Sequence, residues 1–374
     1  KNAGVDLTAD ANLPFSTDID GTTRPAGAWD IGADEITLPI YRSVAPGATA
    51  ALATGTGNNL TISGYTATFA SALPNNVGVG DVIQYDADNN GTIEAIVFIS
   101  SRASSTSYTV MSIAGGLPTA TAAADQDWSI FRAYTSLALA EAGTENTGIA
   151  AGLQNFDTWS GGKDLVAANQ AWNIACYANG ATADTTTVII TGWTTGANNY
   201  IRIYTPVPTS EVGMSQRHQG VWDTGKYRLE ATGGSAIIVV DKYVRIDGLQ
   251  VRVIATGEYQ RGISLDYSDT GISYFQVSNN IVRGTPANTY DFHYGIIEWD
   301  DAAGSVLAIW NNIVYDFNST VGGSGGISVN ASGAPFVYNN TVYNSYFGLK
   351  GNLPATAVLK NNISYNNYDN YYDS

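Results

Sequence analysis

Short runs with an apolar or β-branched residue at every second position recur through the last third of the chain. Four of them share one pattern: Val277-Ser278-Asn279-Asn280-Ile281-Val282, Ile309-Trp310-Asn311-Asn312-Ile313-Val314, Val337-Tyr338-Asn339-Asn340-Thr341-Val342 and Leu359-Lys360-Asn361-Asn362-Ile363-Ser364. An earlier version reads Arg245-Ile246-Asp247-Gly248-Leu249-Gln250-Val251, and the intervals counted from Asp247 are 32, 32, 28 and 22 residues. A second landmark keeps step with the first, as Gly262-Ile263, Gly295-Ile296, Gly326-Ile327 and Gly348-Leu349. Two landmarks in constant order are the mark of a repeat in which each unit is one turn of a coil.

Period-two alternation predicts strands of three to six residues. One such coil cannot bury its own apolar face, whereas stacked coils bury a continuous core. Asparagine suits the corners because it tolerates left-handed backbone, and asparagines stacked about 4.8 Å apart can form amide ladders. Of 31 Asn, 16 fall at or after residue 279, where the repeat is clearest. The expected fold is therefore all-β, a parallel solenoid. The longer loops around 284–294 and 298–306 are where a binding surface belongs.

Composition narrows the function. The net charge is −16, from 17 basic and 33 acidic residues, yet only 13% of residues are charged. A nucleic-acid partner needs a basic face and an anionic membrane needs the same, so both are excluded. The longest apolar runs, such as Ala236 to Val240, are too short to insert in a bilayer. Forty Gly and 23 Tyr argue against a helical protein. The low charge with abundant Thr, Asn, Ser and Gly points to an extracellular or cell-surface protein. The lone Cys176 lies in an apolar stretch and reads as a buried structural thiol. Residue 1 is Lys, with no signal peptide, so the sequence is expected to be processed or part of something longer.

The coils resemble the right-handed parallel β-helix superfamily, which includes pectate-lyase-like enzymes, phage tailspikes and bacterial surface proteins. The resemblance covers about 180–374. Asp164 to Gln170, followed by Ile174 to Tyr177, looks like the N-terminal entry of such helices, and Tyr134 to Ala142 reads as a helix capping that end. Residues 18–35, with Asp18, Asp20, Gly21, Arg24, Trp29 and Asp30, resemble a segment that ends the β-helix in many secreted bacterial members. Here it precedes the coils it normally follows, and the sequence stops after a coil at Tyr371 and Tyr372. Two readings stand. The chain is a window of a tandem protein, or it assembles head to tail with copies of itself. In the second reading residues 1–36 of one copy complete the C-terminal coil of the next by strand addition. Either way a linear filament or array is expected.

The expected organisation is thus 1–36 as an ending-like segment, 37–133 as a small β-domain, and 134–374 as the β-helix with its cap region. Within the small domain, Asp86-Ala87-Asp88-Asn89-Asn90-Gly91-Thr92-Ile93-Glu94 carries oxygens at positions 1, 3 and 5 and Gly at 6, the first half of a calcium loop. The acid at position 12 is missing, because Val97 stands there. A polar hairpin turn on Asn90-Gly91 is the competing reading. Calcium is the only cofactor the sequence suggests, with Asp86, Asp88, Asn90 and Glu94 as ligands, and Asp18, Asp20 and Gly21 as a weaker echo.

For catalysis the best constellation is Asp291, His293, Glu298, Asp300 and Asp301, with Arg261 on the preceding coil. The resemblance implies two chemistries for such a set. A lyase uses carboxylate-bound calcium and a basic side chain, and a hydrolase uses two carboxylates about 5–9.5 Å apart. The Gly-His-Gly and Arg-Ile-Lys segments that accompany the acid pair in polygalacturonase-like enzymes are missing. A polysaccharide lyase or hydrolase, or a glycan-binding adhesin, is therefore the alternative to a structural protein. His218 has no nucleophile motif near it and reads as a loop residue. Sequons at Asn59, Asn318, Asn330, Asn339 and Asn362 are glycosylation candidates.

Overall fold

The computed structural model describes residues 8–9, 16, 37–159, 161–266, 272–285, 289–299, 304–319, 322–330 and 333–373. Three parallel sheets of eight, seven and six strands run along the chain, with an antiparallel sheet of seven strands beside them. The fold is an all-β parallel β-helix. One coil contributes one strand to each parallel sheet, as in Tyr274–Ser278, Ile281–Arg283 and Tyr294–Glu298. The next coil repeats it with Val306–Trp310, Ile313–Tyr315 and Gly325–Val329, in unbroken register.

Register turns the sequence repeat into columns. Ile203, Ile246, Val277, Ile309, Val337 and Leu359 stand one above another in the eight-stranded sheet. Val251, Val282, Val314 and Val342 form a second column, and Ile263, Ile296, Ile327 and Leu349 a third. Each residue of these columns except Leu359 is nearly solvent-free. The Gly-Ile landmark is explained by packing. A Cβ added at Gly262, Gly295 or Gly326 would lie 2.2–2.4 Å from Cγ1 of Val282, Val314 or Val342. Only glycine lets the seven-stranded sheet approach the valine column.

The asparagine pairs divide their labour. Asn279, Asn311, Asn339 and Asn361 have φ of 53–56° and turn the corner in left-handed backbone. Their neighbours Asn280, Asn312, Asn340 and Asn362 form the ladder, each Nδ2 donating to the next Oδ1 at 3.0 Å. Each Nδ2 also donates to a carbonyl of the preceding coil, at 2.8–3.2 Å. In the earlier coil Asp247 pairs with Ser278, so Gly248 (φ 81°) rather than Asp247 holds the corner. The repeat is therefore counted correctly from Gly248.

One assignment differs from expectation. The strand Leu38–Val44, assigned by sequence to the small domain, pairs in parallel with Gln170–Cys176 and starts the eight-stranded sheet. Like charges also stack, Arg202 on Arg245 and Arg252 on Arg283. Repulsion is offset by carboxylates and rings: Asp247 and Glu230 pair with Arg202 and Arg252, and Arg245 lies 3.5 Å over Tyr200.

The small antiparallel sheet folds around Leu60, Ile62, Phe69, Tyr85, Val97 and Trp128. Its other face, with Val82, Phe98 and Phe131, joins the solenoid core. Two buried ion pairs fasten it there. Arg132 meets Asp81 at 2.6 Å and lies 3.6 Å over Tyr177. Arg42 meets Asp157 at 2.6 Å and lies 3.6 Å over Phe98. The expected capping helix is short, Leu137–Glu141, with Ser136 as N-cap accepting from Leu139 N at 3.1 Å. It buries Leu137 and Ala140, and Asp184 accepts from Leu137 N at 2.7 Å. Cys176 is fully buried, and burial pushes its thiol far above the usual range.

Candidate functional site

The last coil is built from Val358–Lys360, Ile363–Tyr365 and Asp369–Asp373. Each is the terminal strand of its sheet, so among the described residues all three sheets end here on an unpaired edge. Corner N–H groups elsewhere donate to the following coil, as Asn311 does to Tyr338 O and Asn339 to Lys360 O, both at 3.1 Å. Asn361 has no following coil among the described residues. Among the described residues the apolar column is equally uncovered. A cavity of about 210 Å³ opens at this end, walled by Ile327, Val329, Val337, Leu349, Leu353 and Tyr371. Ile363 is 59% exposed, Tyr365 67% and Tyr368 79%. Tyr365 stacks on Tyr343, Tyr368 on Tyr346, and Tyr372 packs on Phe347, so the aromatic columns also run out at this face. Tyr371 donates from its hydroxyl to Asn362 O at 3.1 Å. The other assembly candidates, Asp18, Asp20, Arg24, Trp29 and Asp30, lie outside the described residues.

The described members of the acidic loop set are otherwise engaged. Asp300 and Asp301 lie outside the described residues. Glu298 is 1% exposed, occupies the register position between core residues Leu265 and Val329, and accepts from Asn330 N at 3.0 Å. His293 is buried with Nδ1 3.0 Å from Gln260 O, and burial pulls its pKa below the usual value. Asp291 accepts from Phe292 N at 2.7 Å, and that ring stacks on Tyr259 of the preceding coil. Arg261 pairs with Asp266 at 3.4 Å and lies 4.9 Å over Trp299. These are the bonds of loop anchors. His218, half-buried, accepts from Gly220 N through Nδ1 at 3.2 Å and holds its own loop.

The calcium-like loop does gather oxygens. Carboxylate oxygens of Asp86, Asp88 and Glu94 all lie within 4.8 Å of one another. Asp125 and Asp127 form a second such group with Asp86. Sequence spacing missed these two because they are some 40 residues away. Pairing of Tyr85 with Trp128 brings them alongside, and Asp86 N donates to Asp127 O at 2.9 Å. Asn90 caps its own turn instead, accepting from Thr92 N at 2.8 Å. Both Asp86 oxygens accept backbone N–H groups, from Asn89 at 2.7 Å and Gly91 at 2.6 Å. Desolvation works upward on this carboxyl, but the backbone bonds outweigh it and hold the pKa below the usual range. An all-oxygen donor set of this charge suits a hard cation such as calcium.

Among the sequons, Asn59 and Asn339 are exposed, and Asn318 and Asn330 half-buried. Asn362 is a ladder rung with both amide atoms bonded, which leaves its Nδ2 engaged with Val337 O. No protein-family model, no curated protein and no solved structure matches the chain.

Proposed function

We propose that this chain is an extracellular structural subunit of the right-handed parallel β-helix superfamily, joined head to tail into a filament or surface array. Residues 1–36 of one copy complete the last coil of the next by strand addition. The single observation carrying this reading is the end on which, among the described residues, three sheets, an amide ladder and an apolar column stop together without a cover. Unpaired strand edges template association, and a contact between two different surfaces propagates linearly. The resemblance of residues 18–35 to a β-helix ending supplies the occupant. Calcium at Asp86, Asp88 and Glu94, with Asp125 and Asp127, stiffens the small domain. It is a second feature of the same reading, supported by the 4.8 Å clustering of their oxygens.

Sedimentation velocity of the intact chain tests the assembly. Concentration-dependent growth is expected, and it is abolished by removal of residues 1–36 or by Ile363→Lys on the exposed edge. A monomer that persists at high concentration with its 1–36 segment bound to its own coils would overturn it.

A further inference from the structure

The other end of the solenoid interior is covered but not filled. A cavity of about 130 Å³ lies inside the first coil, lined by Ile40, Leu165 and the indoles of Trp159, Trp172 and Trp193. It adjoins a more open hollow of about 330 Å³, with which it shares Phe156, Asp157, Trp159 and Lys163. The indoles interlock. Trp172 stacks on Trp193 at 4.3 Å, and Trp159 meets the two edge-on at 4.9 and 5.1 Å. Two of the three indole N–H groups are satisfied, Trp193 by Glu141 Oε1 at 2.9 Å and Trp159 by Glu141 O at 3.1 Å. Trp172 is 1% exposed, yet its Nε1 has no acceptor. An orphaned buried donor is destabilising, because it loses its bond to water and gains none in return.

The charges at the cavity are unbalanced in the same sense. The Asp157 carboxylate is consumed by Arg42 at 2.6 and 2.8 Å and by the Tyr134 hydroxyl at 2.5 Å. Lys163, half-buried in the wall, donates to Gln170 Oε1 at 2.7 Å and has no ion pair among the described residues. Burial pulls its amine below the usual range. The cavity therefore offers an ammonium without an ion pair against an apolar wall, and the orphaned Trp172 N–H is buried behind that wall.

We infer that this cavity binds a small carboxylic acid with a compact apolar body. The carboxylate engages Lys163 Nζ, and the body packs against the tryptophans. A neutral ligand leaves the ammonium unmatched, and a phosphate dianion brings more charge than one lysine balances. Indole fluorescence and calorimetry of the intact chain test this with benzoate and cyclohexanecarboxylate, against benzamide and inorganic phosphate as controls. The two carboxylates shift the emission and the controls do not. Lys163→Met weakens carboxylate binding about tenfold or more with the melting temperature unchanged, and Lys163→Arg retains most of it. Trp172→Phe, which trims the aromatic wall, weakens it several-fold. Silence of both carboxylates at millimolar concentration overturns the inference, as does an equal response to phosphate or undiminished binding by Lys163→Met. Should Trp172→Phe fail to fold, Lys163→Met decides alone.

Discussion

The two ends of the solenoid bury the same kind of interior in opposite ways. At the N-terminal end an antiparallel sheet, a one-turn helix and two buried ion pairs close the first coil. At the other end the described chain leaves strand edges, a cavity lined largely by aliphatic residues and a run of exposed tyrosines. A repeat protein is held by nearest-neighbour interfaces, so a terminal repeat lacks half of its stabilisation unless something covers it. The contrast teaches that the first coil is closed by tertiary structure within the chain, whereas the described residues give the last coil no such cover.

The largest effect is expected where the closed end is breached. Arg132→Ala leaves Asp81 buried and uncompensated, and burial already raises that carboxyl despite the arginine beside it. Chemical denaturation should show a loss of about 3–5 kcal/mol, partly recovered when Asp81 is also made apolar. Next comes the ladder. Asn312→Ala strips an interior rung that bonds to coils on both sides and should cost about 2–3 kcal/mol. Asn362→Ala removes a rung with neighbours on one side only and should cost clearly less in a dilute monomer. The two costs should converge under assembling conditions. Gly295→Ala forces a Cβ within 2.2 Å of Val314 and should cost about 1–3 kcal/mol in thermal unfolding.

An effect of a different kind, a pH dependence, is expected at the closed end. Burial raises the Glu141 carboxyl to about 8, against hydrogen bonds from Trp193 and Thr191 that lower it. Between the unfolded value near 4.5 and about 8 the folded state holds the extra proton. This stability is therefore full below about 4.5 and is lost as pH rises through 8. Melting temperatures should fall across that window, and Glu141→Gln should flatten the slope.

Much of the solenoid was legible because its period is written twice, in the Asn pairs and in the Gly-Ile landmark. Each landmark has a direct physical cause, a left-handed corner with a bonded rung and a close approach of two sheets. The division between corner and rung was not legible, since both are asparagine and only register tells Asn279 from Asn280. The first strand was misassigned because Leu38–Val44 pairs with a strand some 130 residues later, and no local pattern encodes such a pairing. Asp125, Asp127 and the tryptophan-lined cavity were hidden for the same reason. The loop acids, by contrast, looked like chemistry in sequence because burial and hydrogen bonding are invisible there. Glu298 sits in a core column and His293 against Gln260.

The central claim is that the open coil is completed by another copy. Native-state hydrogen exchange at the backbone amide of Asn361, whose counterparts Asn311 and Asn339 donate to the following coil, tests it most directly when followed as protein concentration rises. Protection that climbs with concentration toward that of Asn339 and Asn311, one and two coils earlier, and is lost when residues 1–36 are removed, is the predicted result. Exchange that stays fast at every concentration, or protection that is complete in dilute monomer, would contradict it.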